Sequence, residues 1–118
     1  MSANQHFETR SDENGVVLCL ANTGGYDTVD YGDLQTALLR FAEQTRPQLL
    51  VVDLSNVGYC STAVINALMQ LRNQLAEHGG ALRLAGMSSE VREAFGHLRL
   101  DGTVFQIYDT TDAALAEA

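Results

Sequence analysis

Three side chains that can take part in chemistry stand together at Cys60, Ser61 and Thr62, shortly after the apolar run at residues 49–54, which carries Asp53 near its end. The Ser61 or Thr62 hydroxyl can accept a phosphoryl group, but either can equally cap a helix. The Cys60 thiol can be a reactive group or a small apolar filler, and the filler is the favoured interpretation. Asp53 can be an acid, a base or a metal ligand, although a structural acceptor for loop amides is favoured. Each role depends on the elements that hold this loop.

The apolar run at 49–54 predicts a strand buried on both faces, because its side chains do not alternate between apolar and polar. Loops that follow such strands usually carry the functional groups of open α/β sheets. A helix is predicted to begin near Ser61 or Thr62, with an apolar stripe on one side and polar residues facing away. Gly79 and Gly80 then supply a left-handed carboxyl cap. The stripe comprises Val64, Leu68, Leu71 and Leu75, and the polar side comprises Gln70, Asn73, Gln74 and Glu77.

The residues before this strand predict a hairpin and a helix. Residues 7–9 have the alternation of a short edge strand, residues 11–15 form a turn, and residues 16–20 form a more buried strand. A helix follows, which Asp30 or Asp33 can start and Pro47 ends. Its buried face is indicated by the helical spacing of Leu34, Ala37, Leu38, Phe41 and Ala42.

The residues after the second helix predict two more strands and two more helices. Ala81–Ala85 and residues 104–108 are the strands, and Ser88 or Ser89 caps the helix between them. Asp112 complements the first-turn amides of a terminal helix. The apolar residues of these helices are Val91, Ala94, Phe95 and Leu98, then Ala113, Ala114 and Leu115. The order β-β-α-β-α-β-α-β-α predicts a single α/β domain over residues 1–118, with a mixed, largely parallel sheet of about five strands flanked by helices.

Composition argues against several classes of function. The 118-residue chain has a formal net charge of −8 and contains Arg but no Lys, so it lacks the clustered basic side chains that bind nucleic acid or an anionic membrane surface. No apolar run approaches the roughly 20 residues of a membrane span, and the first six residues lack the basic and apolar parts of a secretory signal. We therefore expect a soluble, cytoplasmic protein without membrane insertion.

No cofactor or metal site is predicted. Gly24 and Gly25 do not belong to either glycine-rich phosphate-binding motif. Asp27, Asp30 and Asp33 lack the spacing of an octahedral loop and the distal Glu of a calcium-binding hand. The two cysteines do not suggest a disulfide framework.

Several motifs, taken in order, resemble the STAS domain, the fold of bacterial anti-sigma factor antagonists. V-V-D-L-S-N-V at residues 51–57 is similar to the family's V-x-D-L-S-x-V strand, and Y-C-S-T-A at 59–63 occupies its x-D-S-S-G phosphorylation loop. G-G-Y-D at 24–27 is similar to the family's G-x-L-D turn. Residues 77–86 and 104–109 resemble the family's helix exit with the following strand, and its last strand. Each motif is short, but their order and spacing together are fairly specific.

The resemblance implies a non-enzymatic regulatory module that switches partners. In such a module the unmodified domain binds an anti-sigma factor serine kinase and frees a sigma factor, phosphorylation by the kinase ends the binding, and a phosphatase restores it. By position, Ser61 matches the phosphoacceptor and Thr62 the serine after it, whereas Cys60 and Ala63 replace the family's Asp and Gly. Ala63 is harmless if the family's Gly has helical backbone angles, and costs about 1 kcal/mol or more if that Gly needs a positive φ.

The predicted contact surface combines the phosphorylation loop, the exposed first turns of the helix that follows it, and the turn around Asp27. It comprises Tyr26, Asp27, Gly58, Tyr59, Cys60, Ser61, Thr62 and Ala63. Two other functions stay open. One is a STAS subunit that is not phosphorylated and serves a larger signalling or lipid-transport assembly, and the other is a Cys60-dependent redox sensor or small thiol enzyme. Nothing in the residues indicates an oligomeric state.

Overall fold

The nine elements follow the predicted order. The computed structural model describes residues 7–20, 28–57, 62–97, 99 and 105–116, with the backbone alone at 28–33 and 62–63. The elements are β1 (Phe7–Asp12), β2 (Gly15–Leu20), α1 (Thr28–Thr45), β3 (Leu49–Asp53), α2 (Thr62–Glu77), β4 (Ala81–Ala85), α3 (Ser89–His97), β5 (Gln106–Tyr108) and α4 (Thr111–Ala116).

The strands form one five-stranded sheet in the order β1-β2-β3-β4-β5. β1 is antiparallel to β2, whereas β2, β3, β4 and β5 run parallel to one another. The prediction of a mixed, largely parallel sheet is therefore confirmed. β3 lies in the middle, and its residues Leu50, Val51 and Val52 are fully buried, as the unalternated apolar run predicts.

The two faces of the sheet carry unequal layers. Leu50 and Val52 face the larger core, which also contains apolar residues of α1, α2 and α3. Val51 faces a smaller core with Val17 and Ala85, which Ala114 and Leu115 of α4 cover. Three helices thus cover one face, and the short α4 covers part of the other.

The hairpin differs from its prediction, because β1 continues to Asp12 and the turn is shorter than residues 11–15. Ser11 pairs with Val16, and Asp12 pairs with Gly15. The side chain of Asp12 accepts a hydrogen bond from the Asn14 backbone N–H at 3.0 Å. Pairing along β2 thus extends the strand through two polar residues that are individually typical of turns.

The carboxyl end of α2 has the predicted left-handed cap. Gly79 has φ of 79°, and its N–H donates to Ala76 O at 3.1 Å, while the Gly80 N–H donates to Leu75 O at 2.8 Å. This pair of bonds is the Schellman arrangement. A Cβ on Gly80 would lie 2.5 Å from Pro47 O, so both glycines are needed where α2 turns towards β4.

Local bonds also fix the later helices. Ser88, and not Ser89, caps α3, because its Oγ accepts the Val91 N–H at 3.2 Å. Thr110 caps α4 through a 3.1 Å bond from the Ala113 N–H.

Other details differ from the sequence prediction. Gln74 was predicted to face away, but its Nε2 donates to Leu39 O on α1 at 3.1 Å. One strand boundary also differs, because β3 ends one residue before the predicted residue 54. β5 spans Gln106–Tyr108, and its predicted start at residue 104 lies outside the described part of the chain.

Candidate functional site

Four strands bring their carboxyl ends to one edge of the sheet. Cys19 of β2 lies beside Asp53 of β3, which lies beside Ala85 of β4. Tyr108 of β5 pairs with Ala85 in turn. Since these strands are parallel, the loops that leave them emerge together, which is the position where open α/β sheets place functional groups. The segment between β3 and α2 leaves from the middle of this row.

Asp53 fixes the start of that segment. Its Oδ1 accepts the Ser55 backbone N–H at 2.9 Å, while the Leu54 N–H donates to Ala85 O at 2.9 Å and the Val57 N–H donates to Leu54 O at 3.0 Å. Leu54 and Val57 are buried. Asp53 therefore has the structural role favoured from sequence, as the acceptor that holds the first loop amide.

Gly86 provides the space that Asp53 occupies. It has φ of 76°, and a Cβ at this position would lie 2.7 Å from Asp53 Oδ1 and 3.4 Å from Ser55 Cβ. Its N–H donates to Tyr108 O at 3.3 Å. A side chain here would therefore require both an unfavourable backbone conformation and displacement of the carboxylate.

Cys19 has a contact with Asp53 that sequence reasoning missed. The Sγ donates to Asp53 Oδ2 at 3.5 Å, 34 residues away in sequence, and the thiol is free. Burial raises the pKa of Cys19 above its ordinary value, and the charge and hydrogen bond of Asp53 raise it further. A thiol held protonated in this way is a weak nucleophile.

Comparison with known proteins identifies the family. A family model described as the STAS domain matches residues 8–114, which is most of the chain. The chain belongs to the STAS domain family. The family expected from the motifs at residues 51–63 is thereby confirmed, and β3, the following segment and α2 correspond to the part of the chain that carries those motifs.

Solved STAS structures have the same fold at low sequence identity. An anti-sigma factor antagonist (STAS) domain protein from Planctomyces limnophilus has TM-score 0.80 and 17% identity, covering 94% of this chain and 96% of that chain. An anti-sigma factor antagonist from Mycobacterium paratuberculosis has TM-score 0.77 and 22% identity, covering 93% and 90%. The anti-sigma factor antagonist SpoIIAA in its unphosphorylated form has TM-score 0.71 and 15% identity, covering 92% of each chain. No curated protein matches significantly.

The predicted STAS loop residues are described only in part. Thr62 and Ala63 are the first two residues of α2, so residue 63 has the helical conformation in which Ala costs nothing relative to Gly. The remaining predicted contact residues, Tyr26, Asp27, Gly58, Tyr59, Cys60 and Ser61, lie outside the described residues. Their contacts with a partner stay predictions.

Two other kinds of site are absent from the described residues of this STAS domain. These residues contain no group of three or more His, Cys, Asp or Glu side chains placed to hold a metal ion. Among the described helices, none is both long enough and apolar enough to cross a membrane.

Proposed function

We propose that this STAS domain is a regulatory binding module of the anti-sigma factor antagonist type, and that phosphorylation at Ser61 switches its partner. Thr62 is the second candidate hydroxyl. The unmodified domain binds an anti-sigma factor serine kinase, the kinase phosphorylates the loop and thereby ends the binding, and a phosphatase reverses the modification. The module acts by binding and carries out no catalysis of its own.

The observation that carries the proposal is the start of α2 at Thr62, one residue after Ser61. A phosphate on Ser61 adds about −1.5 to −2 charge at the amino end of a 16-residue helix. Free amides and the helix dipole stabilise an anion there. The modification is therefore compatible with the folded domain, and its effect falls on whatever protein covers the loop.

The exposed face of α2 explains why a single phosphate would strongly weaken the binding of a partner that covers the loop. No ionisable residue occurs in α2 before Arg72, and Asn66, Gln70 and Asn73 lie exposed along the helix at a spacing of four and three residues. Because α2 carries no charge before Arg72, a partner that fits its first turns needs no opposite charge there, so a phosphate on Ser61 introduces a charge that the contact does not match. Burying an uncompensated charge in an interface costs several kcal/mol, which is enough to release the partner.

Binding of the cognate serine kinase to loop variants tests the proposal. Ser61→Ala keeps the affinity within a few-fold, whereas Ser61→Asp weakens it by roughly 30-fold or more, because several kcal/mol oppose the buried charge. Thr36→Asp is the matched control, since Thr36 is exposed on α1 and receives the same charge. Phosphorylation is followed by mass spectrometry of the peptide that contains Ser61.

Equal affinities of the Ser61→Asp and Ser61→Ala variants would contradict the proposal, as would phosphorylation at neither hydroxyl of the loop. The unfolding midpoint of each variant is measured alongside, so that a loss of binding is separated from a loss of fold. We expect Ser61→Asp to unfold at a temperature equal to or slightly above that of Ser61→Ala, because Asp can cap the free amides at the start of α2 and Ala cannot.

A second candidate function is a STAS subunit that assembles without phosphorylation in a larger signalling or lipid-transport complex. Cys60 favours it, because it replaces the acidic residue of the family's phosphorylation loop. In that case active kinases leave Ser61 unmodified, and the Ser61→Asp variant assembles as well as the unaltered chain does.

A further inference from the structure

The outer edge of β1 is open within the described part of the chain. β1 ends the sheet and pairs on one side only, with β2. Phe7 is buried, and the other five residues of the strand are exposed. The N–H and C=O groups on the outer side of an edge strand form a template for another strand. Of the devices that usually prevent such pairing, β1 has charged side chains but contains neither Pro nor Lys, and its register with β2 has no bulge.

We propose that a second copy of this chain occupies this edge, with the two β1 strands antiparallel and Thr9 opposite its own copy. A two-fold axis perpendicular to a sheet always places one residue opposite itself and pairs its neighbours reciprocally. Centring the axis on Thr9 places Glu8 opposite the partner's Arg10, and the same pair forms again by symmetry. Phe7 then lies opposite the partner's Ser11, so the ladder uses residues 7–11 of the strand.

The charges of β1 select this register. Centring on Arg10 would place Arg10 opposite itself and Glu8 opposite the partner's Asp12, and centring on Glu8 would place two carboxylates together. Like charges directly opposite are destabilising, whereas opposite charges stabilise a cross-strand pair. Centring on Ser11 also pairs Arg10 with an acid, but β1 ends at Asp12, so that ladder is shorter. Thr9 is the centre that combines complementary charges with the longest pairing.

An apolar contact lies next to the same edge. The ring of Phe41 on α1 meets the ring of Phe7 with centroids 5.8 Å apart and an interplanar angle of 71°. Phe41 is only partly buried, and Phe7, whose ring it contacts, lies on the outermost strand. A second copy that continues the sheet brings its own helix layer beside Phe41 and covers this exposed remainder, which adds apolar burial to the hydrogen-bonded ladder.

The proposed dimer has two further properties. A ladder of five residues is small beside the ~800 Å² per partner of a standard interface, so association is reversible and depends on concentration. The two-fold axis reverses strand direction, so the carboxyl ends of β3 and its copy point to opposite edges of the joined sheet. Each copy therefore presents its own β3–α2 segment, and the dimer does not depend on the function proposed for Ser61.

Charge reversal tests the register by sedimentation velocity over a concentration series. We expect the unaltered chain to pass from its 12.8 kDa monomer to a dimer. Glu8→Arg and Arg10→Glu each place like charges opposite and raise the dissociation constant by about tenfold or more. The double variant Glu8→Arg with Arg10→Glu restores the dimer, and mixing the two single variants gives a heterodimer. The unfolding midpoint of every variant is measured as a check on folding.

A cysteine crosslink tests the centre of symmetry directly. Residues opposite each other in antiparallel strands have Cα atoms about 4.5–5.5 Å apart, within reach of a disulfide. Thr9→Cys therefore crosslinks to its own copy on mild oxidation, and peptide mapping locates the bond. Ser11→Cys is the matched control, because in this register the two copies of residue 11 lie about 13 Å apart along the ladder. A chain that stays monomeric at millimolar concentration, a dimer indifferent to both single charge reversals, or crosslinking through position 11 instead of position 9 would each overturn the proposal.

Discussion

Asp53 and Gly86 fit together so closely that a Cβ at residue 86 would lie 2.7 Å from the Asp53 Oδ1 atom. That oxygen also accepts the Ser55 backbone N–H, and Gly86 has φ of 76°. The end of β4 is therefore shaped to leave room for the carboxylate that holds the segment after β3. The positioning of the candidate loop depends on a glycine in the neighbouring strand connection as well as on the loop itself.

We predict that Gly86→Ala destabilises the domain more than Gly79→Ala does. The two glycines have nearly equal positive φ, 76° and 79°, but a Cβ on Gly79 would meet nothing within 4 Å. Gly79→Ala therefore pays only the conformational cost, about 1 kcal/mol, whereas Gly86→Ala also displaces Asp53 and costs roughly 2 kcal/mol or more. Urea unfolding measures both values, and equal losses would contradict the close fit.

Local signals in the sequence were sufficient where one or two residues decide the structure. Gly79 and Gly80 indicate the end of α2, because a left-handed carboxyl cap favours glycine. Ser88 and Ser89 both indicate the start of α3, and only the hydrogen bond from the Val91 N–H shows that Ser88 is the cap. The turn after β1 was predicted too long, because Ser11 and Asp12 have turn propensity and only their pairing with β2 overrides it.

Contacts between distant strands could not be predicted in the same way. Cys19 meets Asp53 because β2 and β3 pair in one particular parallel register, and a shift of one residue would turn Cys19 to the other face. In the sequence, Arg83 of β4 is an isolated charge within an apolar strand. Only the structure shows that it donates a hydrogen bond to Ala114 O of α4. The position of Ser61 immediately before a helix followed from the apolar stripe of α2.

We predict that Asp53→Asn speeds alkylation of Cys19 several-fold at mildly alkaline pH. The Asp53 charge and hydrogen bond both raise the pKa of Cys19, after burial, and Asn removes the charge while its carbonyl can still accept the Ser55 N–H. The thiolate is the reacting form, so a lower pKa increases the rate. Mass spectrometry of the Cys19 peptide over a time course gives the rate. Glu43→Gln removes an exposed carboxylate elsewhere and should leave the rate unchanged. An unchanged rate in the Asp53 variant would contradict the assigned cause.

The raised pKa of Cys19 also predicts how stability depends on pH. Below the thiol's ordinary pKa, Cys19 is protonated in both the folded and the unfolded chain, and its contribution to stability is fully present. As pH rises, the unfolded chain loses the proton first, so the free energy of unfolding falls until the folded thiol also ionises. Replacing Cys19 by Ala removes this part of the alkaline decline. Chemical unfolding at pH 7 and at pH 10 measures it, and an equal decline in both chains would show that other groups cause the loss.

Arg83 fastens α4 to the sheet, and we predict that Arg83→Met loosens this helix first. Its Nη1 donates to Ala114 O at 2.6 Å, and its guanidinium lies 5.6 Å from the centre of the Tyr108 ring. Near the carboxyl end of a six-residue helix, a cation donates a hydrogen bond to a free carbonyl and interacts favourably with the negative end of the helix dipole. Met keeps much of the apolar stem but supplies neither contact, so we expect a loss of about 1–2 kcal/mol.

Hydrogen exchange distinguishes this loosening from general destabilisation. In the Arg83→Met variant, the amides of α4 should lose protection before those of α2, because α4 packs on a small core that it covers alone among the described helices. Arg92→Met is the matched control, since Arg92 forms an exposed ion pair with Asp109 and such pairs contribute less than about 1 kcal/mol. If the two variants lose the same stability, or if protection falls equally in α2 and α4, Arg83 does not hold the terminal helix in place.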